Sequence, residues 1–258
     1  AGSSPEEIAV YETALEAAKT TLKNEQQDLA DAQAQAQNDL LETYDDGLDS
    51  VSAAYTAGDK ALKTYDSFRE RYFYFNDTIS SQLKLRGIAT QAELDKAKTA
   101  IDAANVSLSG NNVSVALSQT KTALNAIKDI LALMRTDMED ASYKTAVLSA
   151  DRTILNTERT TIDTAIAEAT TARQKISSQE LANQTSINAG QAAVDTAKVS
   201  VQSSQDKLNQ LKAPARSADI DFNEAQVAQS MAALARAQKQ LAKTVLRAPI
   251  NGVVTDVG

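Results

Sequence analysis

The residues of this chain whose types and spacing could do chemistry are carboxylates. Asp45 and Asp46 stand side by side, and Asp137, Glu139 and Asp140 form a second acidic group. Paired carboxylates act as general acid and base only when burial or a cleft separates their pKa values. The sequence around both groups predicts solvated helical faces. We therefore interpret both groups as surface charge.

Histidine and cysteine, the usual general bases, nucleophiles and metal ligands, are absent from the chain. The sequence also contains no phosphate-binding glycine loop, no H-E-x-x-H motif and no EF-hand loop. Without cysteine, disulfides and thiolate chemistry are excluded. The sequence predicts no catalytic residue, no metal site and no cofactor, and we expect that the protein is not an enzyme.

Aromatic side chains are concentrated in one short stretch, which allows two interpretations. Its members are Tyr65, Phe68, Tyr72, Phe73, Tyr74 and Phe75. Such a cluster packs the core of a helical bundle more often than it forms a platform for a ligand or partner. Both interpretations stay open at the level of sequence.

The elements that position these residues are predicted to be helices. All three prolines lie near the ends, at Pro5, Pro214 and Pro249, and the chain of 258 residues has only eight glycines and no tryptophan. Loops normally collect proline and glycine, so their scarcity predicts an elongated all-α protein. The net charge of −8, with no basic run, argues against binding to nucleic acid. No apolar run approaches the roughly 20 residues that span a bilayer.

Apolar residues repeat every seven positions in two arms of the chain. The outgoing arm, residues 1–41, begins with helix-capping serines before Pro5, and the returning arm covers residues 142–244 with a break near residues 212–216. The repeating positions are Ile8, Leu15, Leu22 and Leu29, then Leu155, Ile162, Ala169 and Ile176, then Ile187, Val194, Val201 and Leu208, and finally Ile220, Val227, Leu234 and Leu241. This spacing predicts a long antiparallel coiled-coil hairpin. Residues 1–22 also align without gaps with residues 213–234, an internal repeat.

Residues 42–141 differ from the arms and predict an inserted up-down helical bundle. One helical stripe runs through the aromatic cluster, and a break is expected at residues 76–89. The pattern T-Q-A-E at residues 90–93 is a capping box that predicts a helix start. Residues 109–112 predict a turn, and a third helix carries Leu117, Leu124 and Leu131. The returning helix is then expected from about Ser142.

Residues 245–258 predict a short β segment at the end of the helical chain. Pro249 forbids helix, Asn251 and Gly252 favour a tight turn, and Val253 and Val257 alternate as in a strand. The stretch LKAPARSADIDFNEAQVAQSMAALARAQKQLAKTVLRAPINGVVTDVG, residues 211–258, resembles HlyD-type membrane fusion proteins. The family motif T-x-x-x-A-P-x-x-G-x-V falls here on Thr244, Ala248, Pro249, Gly252 and Val254. The resemblance implies that residues 245–258 begin the second half of a split lipoyl-like domain.

A second stretch, LKLRGIATQAELDKAKTAIDAA at residues 83–104, is similar to the hairpin tip of adaptors that meet an outer-membrane channel. Leu83 and Thr90 stand at the leucine and serine places of the tip pattern, and Ile79 stands at the arginine place. Together with Gly87 and Leu94, Leu83 and Thr90 form the candidate partner-binding tip.

The resemblance implies an extracytoplasmic or periplasmic adaptor subunit of an ABC- or RND-type export system. Its partners are then an inner-membrane transporter, an outer-membrane channel or other envelope component, and further copies of itself. Membrane association is expected through segments outside residues 1–258. The alternative is a surface or sensor coiled-coil protein in which residues 42–141 form a ligand-binding head.

Overall fold

Helices make up nearly all of the chain that the computed structural model describes, which is residues 4–213 and 217–244 together with Val253. Within these residues there are five helices and no strand. The helices are α1 (Pro5–Tyr72), α2 (Thr78–Val106), α3 (Gly110–Asp137), α4 (Ser149–Lys212) and α5 (Ser217–Thr244). The all-α class is thus confirmed for the described part. The predicted β segment at residues 245–258 lies outside it, apart from Val253.

The first helix begins where the capping pattern predicts and continues past the arm predicted for residues 1–41. The backbone N–H of Glu7 donates to Ser4 Oγ at 3.1 Å, which satisfies one of the free donors of the first turn. Pro5 occupies the first helical position, where a missing N–H costs nothing. From there α1 runs without interruption for 68 residues.

The second helix begins at Thr78 after a non-helical connection at residues 73–77, so the predicted break is confirmed only at residues 76 and 77. The helix start predicted at Thr90 is wrong. Asp77 is the actual cap, because its Oδ1 accepts a hydrogen bond from the backbone N–H of Ser80 at 2.7 Å. Gly87 is tolerated inside α2 because the helix lies close against α1 there. A Cβ built on Gly87 would meet Tyr65 Cε1 at 3.1 Å.

The connection before α3 lies at residues 107–109, so of the turn predicted at residues 109–112 only Ser109 is outside the helix, which begins at Gly110. Ser109 caps this helix by accepting from the backbone N–H of Asn112 at 3.3 Å, and the Asn112 side chain donates to Ser107 O at 2.8 Å. The predicted apolar stripe of the third helix is confirmed as buried, with Leu124 and Leu131 fully inaccessible.

The returning helix begins at Ser149 rather than near Ser142, since residues 138–148 form turns. Tyr143 and Val147 turn their side chains into the bundle core. The Arg152 guanidinium donates to Lys144 O at 2.8 Å and to Met138 O at 3.2 Å, which fastens the turns to the first residues of α4. Helix periodicity does not report these tertiary contacts.

Contacts divide the chain into a larger unit, residues 24–195, and a smaller unit formed by residues 1–23 and 196–258. In the larger unit α1 and α4 run in opposite directions. Asn183 Nδ2 donates to Ala36 O at 2.7 Å, and further along Arg71 Nη1 contacts Asp151 Oδ2 at 3.0 Å. As residue numbers rise along α1, those of its α4 neighbours fall.

The larger unit contains two clusters of buried apolar residues, to which α1, α2, α3 and α4 all contribute. One cluster is centred on Tyr65, Leu83 and Leu124, and the other on Val51 and Val113. Burial of these faces stabilises the fold by about 25 cal/mol for each Å² of apolar surface removed from water. All four helices therefore contribute buried side chains to both clusters.

In the smaller unit the beginning of α1 contacts the end of α4. Leu15 and Leu208 are 5% and 4% exposed. Lys212 Nζ lies 2.6 Å from Glu12 Oε1, and Lys207 Nζ lies 6.0 Å from the centroid of the Tyr11 ring. The other helix of this unit, α5, has every described side chain from residue 218 to residue 244 exposed.

Candidate partner-binding surfaces

The residues proposed as a partner-binding tip lie inside the bundle. Leu83 and Leu94 are fully buried, Thr90 is 3% exposed, and Gly87 is also buried. The backbone of Leu83 also joins α2 to α1, because its carbonyl oxygen accepts a 2.6 Å hydrogen bond from the Tyr65 hydroxyl. A partner could touch these side chains only if the bundle opened.

The face of α2 opposite Leu83 carries exposed apolar side chains that are not part of the seven-residue repeat. Leu85 is 68% exposed and Ile88 is 61% exposed. Ile88 lies beside a shallow groove between α1 and α2 that is also lined by Asp66 and Arg69. The signal for this surface in the sequence is the i, i+3 spacing of two apolar residues that fall off the buried stripe.

The aromatic cluster divides between the two interpretations that the sequence allowed. Tyr65 and Phe73 are buried and pack in the core, and Phe68 and Tyr72 belong to the same buried set. Tyr74 and Phe75 are 69% and 52% exposed, with ring centroids 4.4 Å apart. Most of the cluster is therefore core, and its last two rings form an exposed pair in the connection between α1 and α2.

A hydrogen-bonded group of three side chains ties this connection to the turns before α4. The Tyr143 hydroxyl, on a side chain that is 1% exposed, bonds to Asp77 Oδ2 and lies 3.0 Å from Ser80 Oγ. The bond from Tyr143, with the backbone bond from Ser80, holds the pKa of Asp77 below its usual value. Burial, and then Asp77, raise the pKa of Tyr143.

A second tyrosine and carboxylate pair fixes the start of α4 against the end of α1. Asp151 is 6% exposed and accepts from both Arg71 and the Tyr72 hydroxyl. A buried carboxylate is tolerated when it is paired and hydrogen-bonded, as it is here. This pair has a structural role that the sequence did not indicate.

Of the acidic residues named at the outset, Asp137 is half-buried, and the others are exposed. Asp45 and Asp46 are exposed on α1. Glu139 lies 2.6 Å from Arg135 Nη1, and this bond lowers the pKa of Glu139. Desolvation, followed by the charge of Asp140, raises the pKa of Asp137. Across the described residues there is no group of three or more acidic side chains arranged to hold a metal ion.

Comparisons with protein-family models, curated proteins and solved structures find no match for this chain. A search of the helices in the described residues for a segment long and apolar enough to span a bilayer also finds none.

The residues that carry the lipoyl-like motif lie mostly outside the described part of the chain. Thr244 is the last residue of α5, where its hydroxyl donates to Leu241 O at 2.6 Å. Ala248, Pro249, Gly252 and Val254 lie among the residues that the structure does not describe. The motif remains a prediction from sequence.

Proposed function

We propose that this chain belongs to an extracytoplasmic adaptor of an ABC- or RND-type export system. In this proposal α1 and α4 form an antiparallel coiled-coil hairpin that carries α2 and α3 as an inserted bundle. Residues 245–258 begin the second half of a split lipoyl-like domain. The adaptor links an inner-membrane transporter to partners elsewhere in the cell envelope.

The observation that carries this proposal is the opposite direction of α1 and α4 in the larger unit. Contacts between the two helices follow this direction along the whole unit. Near one end Leu29 Cδ1 lies 3.1 Å from the position that a Cβ would take on Gly190, and near the other end Arg71 pairs with Asp151. Each helix exceeds 60 residues, at 68 for α1 and 64 for α4. A chain that goes out along one helix and returns along another runs back toward the side from which it started. This arrangement is what a split domain requires.

The proposed mechanism is mechanical and needs no catalytic residue. Several copies would assemble side by side, with their hairpins forming a conduit wall and their lipoyl-like domains packing at the base. Long helices suit this task because they transmit position over distance at 1.5 Å per residue. The exposed Tyr74 and Phe75 pair, at the far end of α1 from Pro5, is the surface that we assign to the envelope partner.

A test in the native host compares a strain lacking the gene with the parent strain. We expect loss of export or of drug tolerance, and recovery of a permease or nucleotide-binding subunit when the tagged full-length protein is purified after cross-linking. Gly252→Val in the lipoyl-like motif should reduce this recovery, whereas Val10→Ala on the exposed surface of α1 should not. Unchanged export together with no recovered transporter subunit would overturn the proposal.

The second candidate function is a surface or sensor protein with a ligand-binding head, which the exposure of Tyr74 and Phe75 favours. The two functions differ in what Tyr74→Ala with Phe75→Ala should change. In a sensor the double variant should lose its response to a ligand while export continues. In an adaptor it should lose export while the transporter subunit is still recovered.

A further inference from the structure

Helix α5 presents an apolar stripe that no other described helix covers. Ile220, Val227, Leu234 and Leu241 follow one another at seven-residue steps and are between 45% and 68% exposed, and Met231 beside them is 65% exposed. A helix gains most of its stability in a protein by burying its apolar face. Helix α5 has 28 residues, and all its described side chains from 218 to 244 are exposed. We therefore expect another surface to pack against its apolar stripe.

We infer that this stripe is covered by α5 of a second copy of the chain, lying antiparallel. The inference goes beyond the proposed adaptor function and does not depend on it. The stripe is symmetric about Ser230 and Met231, so reversing one helix places Ile220 opposite Leu241 and Val227 opposite Leu234. A surface that is its own complement under a two-fold rotation is what an isologous dimer needs.

Polar residues in the second row of the contact favour the antiparallel direction. This row consists of Glu224, Met231 and Gln238, each four residues after a member of the stripe. In an antiparallel pair with this register Glu224 lies opposite Ala237 and next to Gln238, whose amide can donate to the carboxylate. In a parallel pair two Glu224 carboxylates would meet within the contact, a like-charge pair that costs free energy.

The charged residues of α5 show the same symmetry. Its acidic residues, Asp219, Asp221 and Glu224, precede a stretch without charge at residues 225–235, and its basic residues, Arg236, Lys239 and Lys243, follow it. The antiparallel arrangement brings the acidic end of each helix beside the basic end of the other and points the two helix dipoles in opposite directions. The parallel arrangement would place the two acidic ends together and the two basic ends together. Small residues beside the stripe, at Ala228 and Ala235, let the two helices approach closely.

In the proposed adaptor ring all copies point in one direction, so the antiparallel pair would form only before the protein assembles into the ring. It would have to separate before the ring assembles.

The first test measures the oligomeric state of the chain, residues 1–258, by sedimentation over a range of concentrations. We expect a monomer–dimer equilibrium that Leu234→Glu shifts toward monomer by roughly tenfold or more in dissociation constant, because each dimer would then bury two added carboxylates. Phe222→Glu is the matched control, since Phe222 is 66% exposed on the face of α5 away from the stripe. Circular dichroism of both variants checks that the bundle stays folded.

The second test uses the fact that residues 1–258 contain no cysteine, so that a single introduced cysteine is the only thiol in the chain. Ile220→Cys and Leu241→Cys are prepared as separate variants and treated with a short bismaleimide, alone and mixed. Cross-linked dimers in the mixture but in neither variant alone support the antiparallel pair. Cross-linking of either variant alone would indicate a parallel pair and overturn the inference. A wild-type chain that stays monomeric, or a dimer that Leu234→Glu leaves intact, would overturn it too.

Discussion

At the scale of single residues, the buried tyrosine hydroxyls hold the ends of the bundle together. Tyr143 bonds to Asp77, the residue that caps α2, and Tyr65 bonds to a backbone carbonyl inside that helix. A hydroxyl buried in this way costs free energy unless its partner is present. The aromatic ring supplies packing and the hydroxyl fixes which segments meet.

Tyr143→Phe should therefore destabilise the protein in a manner that depends on pH. The pKa of Asp77 is depressed in the folded state, so its bonds stabilise that state above the unfolded pKa. This contribution is lost as the pH falls through the depressed value. We expect Tyr143→Phe to lower the melting temperature at pH 7, and the difference from wild type to shrink in acid.

Thermal melts from pH 7 downward check this expectation. Tyr74→Phe is the control, because Tyr74 is 69% exposed and should melt like the wild type throughout. An equal loss of melting temperature at every pH would show that packing, rather than the bond to Asp77, accounts for the effect.

At the scale of the element, α2 has two faces that the sequence alone does not tell apart. Leu83 is fully buried and Leu85, two residues later, is 68% exposed. A helix places residues two apart on different sides, and tertiary packing decides which side faces the core. The resemblance to an adaptor tip selected Leu83, but the accessible apolar surface on this helix belongs to Leu85 and Ile88.

Leu83→Ala should cost about 2–5 kcal/mol of unfolding free energy, because it leaves a cavity in the core. Leu85→Ala should change it by less than about 0.5 kcal/mol, as surface substitutions usually do. Denaturant unfolding monitored by circular dichroism measures both values. Similar values for the two variants would mean that α2 does not pack through the face that carries Leu83.

At the scale of the whole molecule, the two buried clusters both lie within the larger unit. Their outermost buried members in the sequence are Tyr44 and Ile176, well inside residues 24–195. Cooperative stability should therefore come from this part of the chain.

A fragment of residues 24–195 should fold alone and melt in one cooperative transition near the main transition of the full chain. Calorimetry of the fragment and of the full chain makes the comparison. A fragment that is unfolded, or that melts far below the full chain, would show that residues 1–23 and 196–258 are needed for the core to form.

The sequence by itself determined the helical class, the start of α1 and the buried stripe of α3. These follow from local causes, namely capping hydrogen bonds, scarce proline and glycine, and apolar periodicity. The structure showed that α2 begins at the local Asp77 cap, and tertiary packing decided that residues 138–148 are turns and that the tip candidates are core. In the last two cases the deciding interactions join different elements of the fold, such as Tyr65 with Leu83 and Arg152 with Met138. Periodicity reports which residues share a face, and packing selects the face that is buried.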